Sequence, residues 1–216
     1  KHMNSGEGGL LISDDAELMA RATLLSGSYM FFDRHPAGPD RTAYPDNPAA
    51  LPNMSCRMDH LRAAILRPQL VRLDDNCRAW TERYRAIEDG LRGTPGLRLI
   101  ARPAAEAFVG SSIQFCLPDW SGPAISAFVL ACKGRGVELK WFGAPRPAGF
   151  TSRYDHWGYA EPSVLPKTDR VLAGLLDMRL PLTFSLEDCA RIARIVRAEI
   201  ALLQPGNRTA ASQGAA

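Results

Sequence analysis

Six apolar side chains between residues 73 and 91 limit what this chain can fold into more than any other feature. Leu73, Cys77, Trp80, Tyr84, Ile87 and Leu91 recur at spacings of 4, 3, 4, 3 and 4, the interval that stacks residues on one face of an α-helix. The other face carries Arg78, Arg83, Arg85 and Arg92 interleaved with Asp74, Asp75, Glu82, Glu88 and Asp89. Mixed signs make a solvated face, not a DNA-binding one. The helical reading extends back to about Arg57, with Pro68 inside it as an expected kink or interruption. Such a stripe needs a core to lie on. A length of 216 residues, 46% apolar and 23% charged, supplies one ordinary domain or one piece of a two-domain protein.

Several classes of function are excluded on composition. A net charge of +3 is far weaker than the clustered charge of a dedicated nucleic-acid binder. No apolar run approaches the ~18–20 residues of a membrane span, and the N-terminus lacks a basic segment followed by an apolar one. The five cysteines (Cys56, Cys77, Cys116, Cys132 and Cys189) are scattered, with no C-x-x-C pair, and read as reduced thiols of a cytoplasmic protein. Cys56 and His60 lie four apart, but no third ligand follows nearby, so no metal site is expected.

Elsewhere the pattern alternates between helices, short strands and two long loops. Ser13 can cap a helix in which Leu18, Ala22 and Leu25 repeat, with Gly27 as its terminator. Residues 28–54, with Pro36, Pro39, Pro45, Pro48 and Pro52, form a loop too long to be ordinary, either functional or a surface insertion. Leu97–Ala101 reads as a short strand, and Ile113, Phe115 and Leu117 alternate as a half-buried one. A helix through Pro123–Arg135, closed by Gly136, precedes a further alternation at Val137, Leu139 and Trp141. Residues 142–166 form a second loop. A final helix, capped by Ser185 with Asp188 in the capping-box position, presents Cys189, Ile192, Val196, Ile200 and Leu203. The tail from Pro205 reads as disordered.

Three segments carry a family resemblance. Lys1 is followed, after four residues, by Gly6-Glu7-Gly8-Gly9, then by Leu10–Ile12 and Asp14-Asp15. Arg57-Met58-Asp59-His60-Leu61-Arg62-Ala63-Ala64 leads to Gln69-Leu70, and Met178-Arg179-Leu180-Pro181-Leu182 leads to Leu186-Glu187-Asp188. In this order they resemble the DegT/StrS sugar aminotransferases, fold-type I enzymes that use pyridoxal 5′-phosphate (PLP). The resemblance spans Lys1 to about Leu203. It implies an α/β, aspartate aminotransferase-like fold: residues 1–71 would end the PLP-binding large domain, and 72–204 would form a linking helix and a small α+β domain. Residues 205–216 would be the tail. It also implies that the chain begins in mid-protein, at the Schiff-base lysine, with cofactor-binding sequence before it.

The resemblance further implies transfer of an amino group from glutamate or glutamine to a keto-sugar, nucleotide-sugar or cyclitol, in a homodimer, without nucleic acid or membrane. Lys1 would bind the cofactor and shuttle the proton. An amine of ordinary pKa ~10.4 must be depressed to act as a base near neutrality, and glycines after it let the backbone approach the cofactor. Where the family has an Asn that reaches the cofactor phosphate, Ser55 stands here, with Asn53 two residues earlier. Arg57 matches the substrate-facing arginine, and a guanidinium suits carboxylate or phosphate. The family's H-Y-x-P-x-H stretch is replaced by Phe150-Thr151-Ser152-Arg153-Tyr154-Asp155-His156-Trp157, which makes Arg153 and His156 substrate-binding candidates. Two other readings are a sugar dehydratase of the same family, which has His where Lys1 stands, and a non-catalytic binding or regulatory module that retains the fold.

Overall fold

The computed structural model of the protein describes residues 2–28, 30–149, 153–159, 161 and 163–204. The chain divides into two compact units, Lys1–Leu73 and Asp74–Ala216.

In the first unit the glycine-rich opening leads to helix α1, Ala16–Leu25. Asp15, not Ser13, caps it: the Asp15 carboxylate accepts the Leu18 N–H at 2.9 Å, while the Ser13 hydroxyl accepts the Asp15 N–H at 3.1 Å. A carboxylate at the positive end of the helix does the work a serine would do more weakly. Gly27 ends the helix as expected. With φ of +103° it lets its own N–H reach Leu24 O at 2.9 Å and the Ser28 N–H reach Thr23 O at 3.3 Å, a Schellman closure. Leu10, Leu11 and Ile12 form no strand and are exposed, Ile12 by 89%. An extended segment needs a ladder partner, and none lies beside it among the described residues.

The expected loop over 28–54 is present, and three short 3-10 turns at Phe32–Arg34, Arg41–Ala43 and Pro48–Ala50 fold it back. It packs against α1: Ala20, Leu24, Phe32 and Tyr44 are buried together, with the Phe32 and Tyr44 rings 4.4 Å apart. Helix α2 (His60–Val71) follows, capped by Asp59, whose carboxylate accepts the Arg62 N–H at 2.8 Å. The single helix expected from 57 to 91 is therefore two helices. The first passes Pro68 and stops at Arg72, whose N–H turns to Gln69 O at 3.2 Å; α3 (Leu73–Leu91) then begins.

The second unit holds the larger core. Strands β1 (Arg98–Leu99), β2 (Ser112–Cys116), β3 (Lys140–Trp141) and β4 (Leu175–Arg179) form an antiparallel sheet in the order β1-β2-β4-β3. Two of the expected strands, at 97–101 and 137–141, shrink to two residues each. Helices α4 (Gly122–Gly134), α5 (Pro166–Gly174) and α6 (Leu186–Leu203) complete the unit. Helix α5 starts where the second loop was expected to end, with Pro166 at its first turn, a position whose N–H is unpaired in any helix. Ser185 and Asp188 form the expected capping box of α6, the carboxylate accepting the Ser185 N–H at 2.9 Å.

The stripe on α3 is a core face. Tyr84, Ile87 and Leu91 join Ile113, Phe115 and Leu117 of the β2 region, Phe128 of α4, Leu176 and Met178 of β4, and Val196 and Ile200 of α6. Arg83 leaves the solvated face assigned to it: its guanidinium donates to Phe184 O at 2.6 Å and Leu182 O at 3.0 Å. On β4 a buried carboxylate, Asp177, accepts from Gln114 Nε2 at 2.6 Å, which meets the requirement that buried polar groups be bonded.

Gly90 explains why a helix-weakening residue stands inside α3. A methyl group there would lie 2.6 Å from the Ala193 Cβ of α6. Gly90→Ala should therefore destabilise the fold by the ~1–3 kcal/mol of an overpacked contact and lower the melting temperature, although alanine is the better helix former. Adding Ala193→Gly should restore most of the loss; a Gly90→Ala protein with a raised melting temperature would show the contact to be slack.

Candidate active site

The candidate residues fall into two groups, one in each unit. Lys1 lies outside the described residues. The chain directly after it walls a cavity of about 310 Å³, lined by residues 2–10 together with Met58, Leu66 and Leu73. Gly6 and Gly8 adopt φ of +96° and +138°, values that L side chains rarely take, so the glycines are what lets this wall turn. The turn is tied down twice. The Asn4 side chain accepts the Gly6 N–H at 2.8 Å, and the Gln69 side chain of α2 donates to Asn4 O and accepts the Asn4 N–H, each at 2.8 Å.

Asn53, Ser55 and Arg57 stand on one exposed stretch between α1 and α2. Hydrogen bonds from Met54 N–H to Leu25 O (2.8 Å) and from Cys56 N–H to Ser26 O (3.0 Å) pin it to the end of α1. Asn53 Oδ1 accepts the Ser55 N–H at 2.8 Å, and a Cβ on Gly27 would fall 2.5 Å from that oxygen. Gly27 thus serves twice, closing the helix and seating Asn53. Ser55 has φ of +52°, the only non-glycine among the described residues with positive φ. A strained backbone of this kind persists where its surroundings over-determine it. The stretch thus carries three exposed residues with donors, the Asn53 amide NH₂, the Ser55 hydroxyl and the Arg57 guanidinium. Such a set fits the oxyanion of a phosphate.

Arg153 and His156 come together in the second unit, but their roles separate. Arg153 donates to both oxygens of Asp155 at 2.9 Å each, and to Asp169 of α5 at 3.1 Å. The Tyr154 hydroxyl donates to the same Asp169 oxygen at 2.9 Å. The guanidinium is therefore already engaged by two carboxylates. His156 Nδ1 accepts the Arg153 N–H at 3.1 Å, which leaves Nε2 as the ring's outward donor. Beside it the Trp157 and Tyr159 rings pair at 5.7 Å, and both are exposed. Trp141 packs instead, its Nε1 donating to Ala173 O at 2.9 Å. Phe150, Thr151 and Ser152 lie outside the described residues.

Two contacts of this arrangement escaped the sequence, although Gln69 itself belongs to one of the family-like segments. Asp169 anchors the 153–156 segment from 16 residues away, and Gln69 reaches Asn4 across 65. Neither distance leaves a local pattern. Among the described residues no group of three or more His, Cys, Asp or Glu could hold a metal ion, and no helix is long and apolar enough to cross a membrane.

The sequence profile described as the DegT/DnrJ/EryC1/StrS aminotransferase family matches residues 1–197. The chain belongs to that family. Its fold is that of solved aminotransferases. The crystal structure of DesI in the presence of its TDP-sugar product superimposes with a TM-score of 0.67 at 20% identity, over 99% of this chain and 50% of that one. The aminotransferase TlmJ from Streptoalloteichus hindustanus gives 0.59 at 21% identity, over 70% of this chain and 39% of its own. The sugar aminotransferase CalS13 from Micromonospora echinospora gives 0.58 at 17%, over 74% and 40%. This chain thus spans half or less of the length of these proteins. No curated protein matches its sequence.

Two measurements follow from the electrostatics. Burial first, then the nearby Glu199 carboxylate, push the Cys132 thiol up to about 12 against the opposing pull of Arg135, and the thiolate is the reactive form. Maleimide at neutral pH should label exposed Cys56 in the folded protein and reach Cys132 only after denaturation, as read by peptide mass spectrometry. Hydrogen bonds from Arg153 hold the Asp155 carboxyl below the usual carboxylate range. A carboxyl depressed on folding stabilises above its ordinary ~3.9 and ceases to as pH falls through its lowered value. Trp157 fluorescence should therefore change at acidities below about pH 4, and Asp155→Asn should abolish that step.

Proposed function

We propose that this chain is the C-terminal part of a PLP-dependent aminotransferase that moves an amino group from glutamate or glutamine to a keto-sugar, nucleotide-sugar or cyclitol. Residues 1–71 would complete its cofactor-binding domain and 72–204 its small domain, in a cytoplasmic homodimer. The observation that carries the reading is the cavity formed by the segment that directly follows Lys1, built on glycine conformations and held to α2. Family membership and the aminotransferase fold support it.

The donor chemistry present fits the cofactor. Asn53, Ser55 and Arg57 offer amide, hydroxyl and guanidinium groups suited to its phosphate or to a substrate carboxylate. When bound, the cofactor supplies an aldehyde for a lysine amine and a ring that absorbs negative charge from the substrate carbon. Lys1 Nζ would hold the cofactor, and once released would take the α-proton from the amino donor and return it on the far side of the transfer. His156, presenting Nε2–H, would donate to a hydroxyl or phosphate oxygen of the acceptor, and the Trp157 ring would cover the acceptor's apolar face. Arg153 would act by holding that segment in shape through Asp155 and Asp169.

Borohydride treatment of the full-length enzyme loaded with PLP should fix the cofactor to Lys1, as located by peptide mass spectrometry. Lys1→Ala should lose the adduct and nearly all transamination. An adduct on a different lysine would sink the assignment. A full-length protein that binds no PLP would favour the non-catalytic module.

A further inference from the structure

We infer that Gln69 is a positioning residue for the lysine-bearing segment, acting on Asn4 and through it on the cavity wall; the inference rests on the reading of Lys1 given above. A primary amide is a donor and an acceptor in one plane. Gln69 uses both on the backbone of a single residue, with Oε1 accepting from Asn4 N–H and Nε2 donating to Asn4 O, each at 2.8 Å. This reproduces a pair of sheet hydrogen bonds without a strand. Nε2 also donates to Ile65 O at 2.9 Å, one turn back on α2, so the amide is oriented by its own helix before it meets Asn4.

The clasp has a structural reason to exist. Residues 2–13 form no helix or strand, so the segment lacks the ladder that would otherwise fix it. Asn4 bonds locally to Gly6, which shapes the turn but fastens it to nothing distant. Gln69 supplies a distant attachment, and α2 supplies the rigid body behind it. Fixing the Asn4 peptide, three residues along the chain from the lysine, limits the backbone positions open to the residues joined to it. Placement of a base within reach of a proton governs the rate of proton transfer more than the binding of substrate.

Two variants separate the bonds. Glutamate at this position keeps an acceptor for Asn4 N–H and loses the donor to Asn4 O; leucine loses both. In the full-length enzyme, Gln69→Leu should speed amide hydrogen exchange at Asn4 about fivefold to tenfold, the scale of one or two side-chain hydrogen bonds. It should lower kcat at least about tenfold while KM for the amino donor changes little, the pattern of an interaction realised in the transition state. The pH at which the absorption of the lysine-bound cofactor changes should shift as well. Gln69→Glu should leave Asn4 N–H protected and still lower kcat.

Unchanged Asn4 exchange in Gln69→Leu overturns the clasp, whatever the activity. Faster exchange with kcat and the spectral titration unaltered overturns the positioning role. A fall in kcat accompanied by a lower melting temperature and a raised KM also overturns it, because general loosening would then explain the loss. The borohydride adduct on the unmodified enzyme is the separate check on Lys1: its absence there removes the reading beneath this inference, whereas its presence with an indifferent Gln69→Leu counts against the inference alone.

Discussion

The second unit depends on burying the α3 stripe. Tyr84, Ile87 and Leu91 are each at most 4% exposed, against residues of β2, α4, β4 and α6. At roughly 25 cal/mol per Å² of apolar surface, contributions of this kind outweigh the polar contacts around them. Exposed pairs such as Arg92–Asp89 at 3.0 Å add little in water. The sheet is short-stranded, and β1 and β3 have only two residues each. It is held because β2 and β4 pair over five residues and place Ile113, Phe115, Leu176 and Met178 on the helical side. The close approach of α3 and α6 at Gly90 and Ala193 follows from the same packing.

The first unit rests on different physics. Among the described residues its buried cluster comprises Ala20, Leu24, Phe32 and Tyr44, which is little apolar burial for a segment of this length. Local devices hold it instead. These are the Asp15 and Asp59 caps, the Schellman closure at Gly27, the Asn53 turn seated on that glycine, and the Gln69–Asn4 pair. Each satisfies backbone groups that would otherwise go unpaired. Leu61, Leu70 and Val71 on α2 remain exposed alongside Leu10–Ile12. Hydrogen bonding sets the shape of this unit more than hydrophobic packing does.

That contrast explains what could be read from residues alone. Periodicity reports burial, so the stripe on α3, the alternation in β2 and the apolar face of α6 were legible. So were features with one-residue chemistry, such as Gly27, Gly136 and the Ser185–Asp188 box. The break at Arg72 was not, because proline marks where a bond is missing and not where the chain finally turns. Helix α5 was hidden behind a proline that looked like a loop and proved to be a first-turn residue. Strands β1 and β3 came out short because a strand ends where its partner does, and partners are set by topology. The swap of Asp15 for Ser13 as the α1 cap shows the ordinary margin of such boundaries.

The candidate site divides along the same line. Lys1, Asn53, Ser55, Arg57, Arg153 and His156 were selected by residue type and by resemblance. What a type offers, however, is not what its neighbours leave available. Arg153 and Arg57 carry the same group, yet the first is enclosed by Asp155 and Asp169 while the second is exposed. A guanidinium bound to two carboxylates has already lost its attraction for a third anion, since the local charge is negative before any ligand arrives. Arg57 keeps that capacity. The sequence ranked the two alike because the difference depends on Asp169, which reaches the segment from another helix. Among residues of one kind, the capacity to bind a further anion depends on the partners each already has, and partners at long range emerge only from the fold.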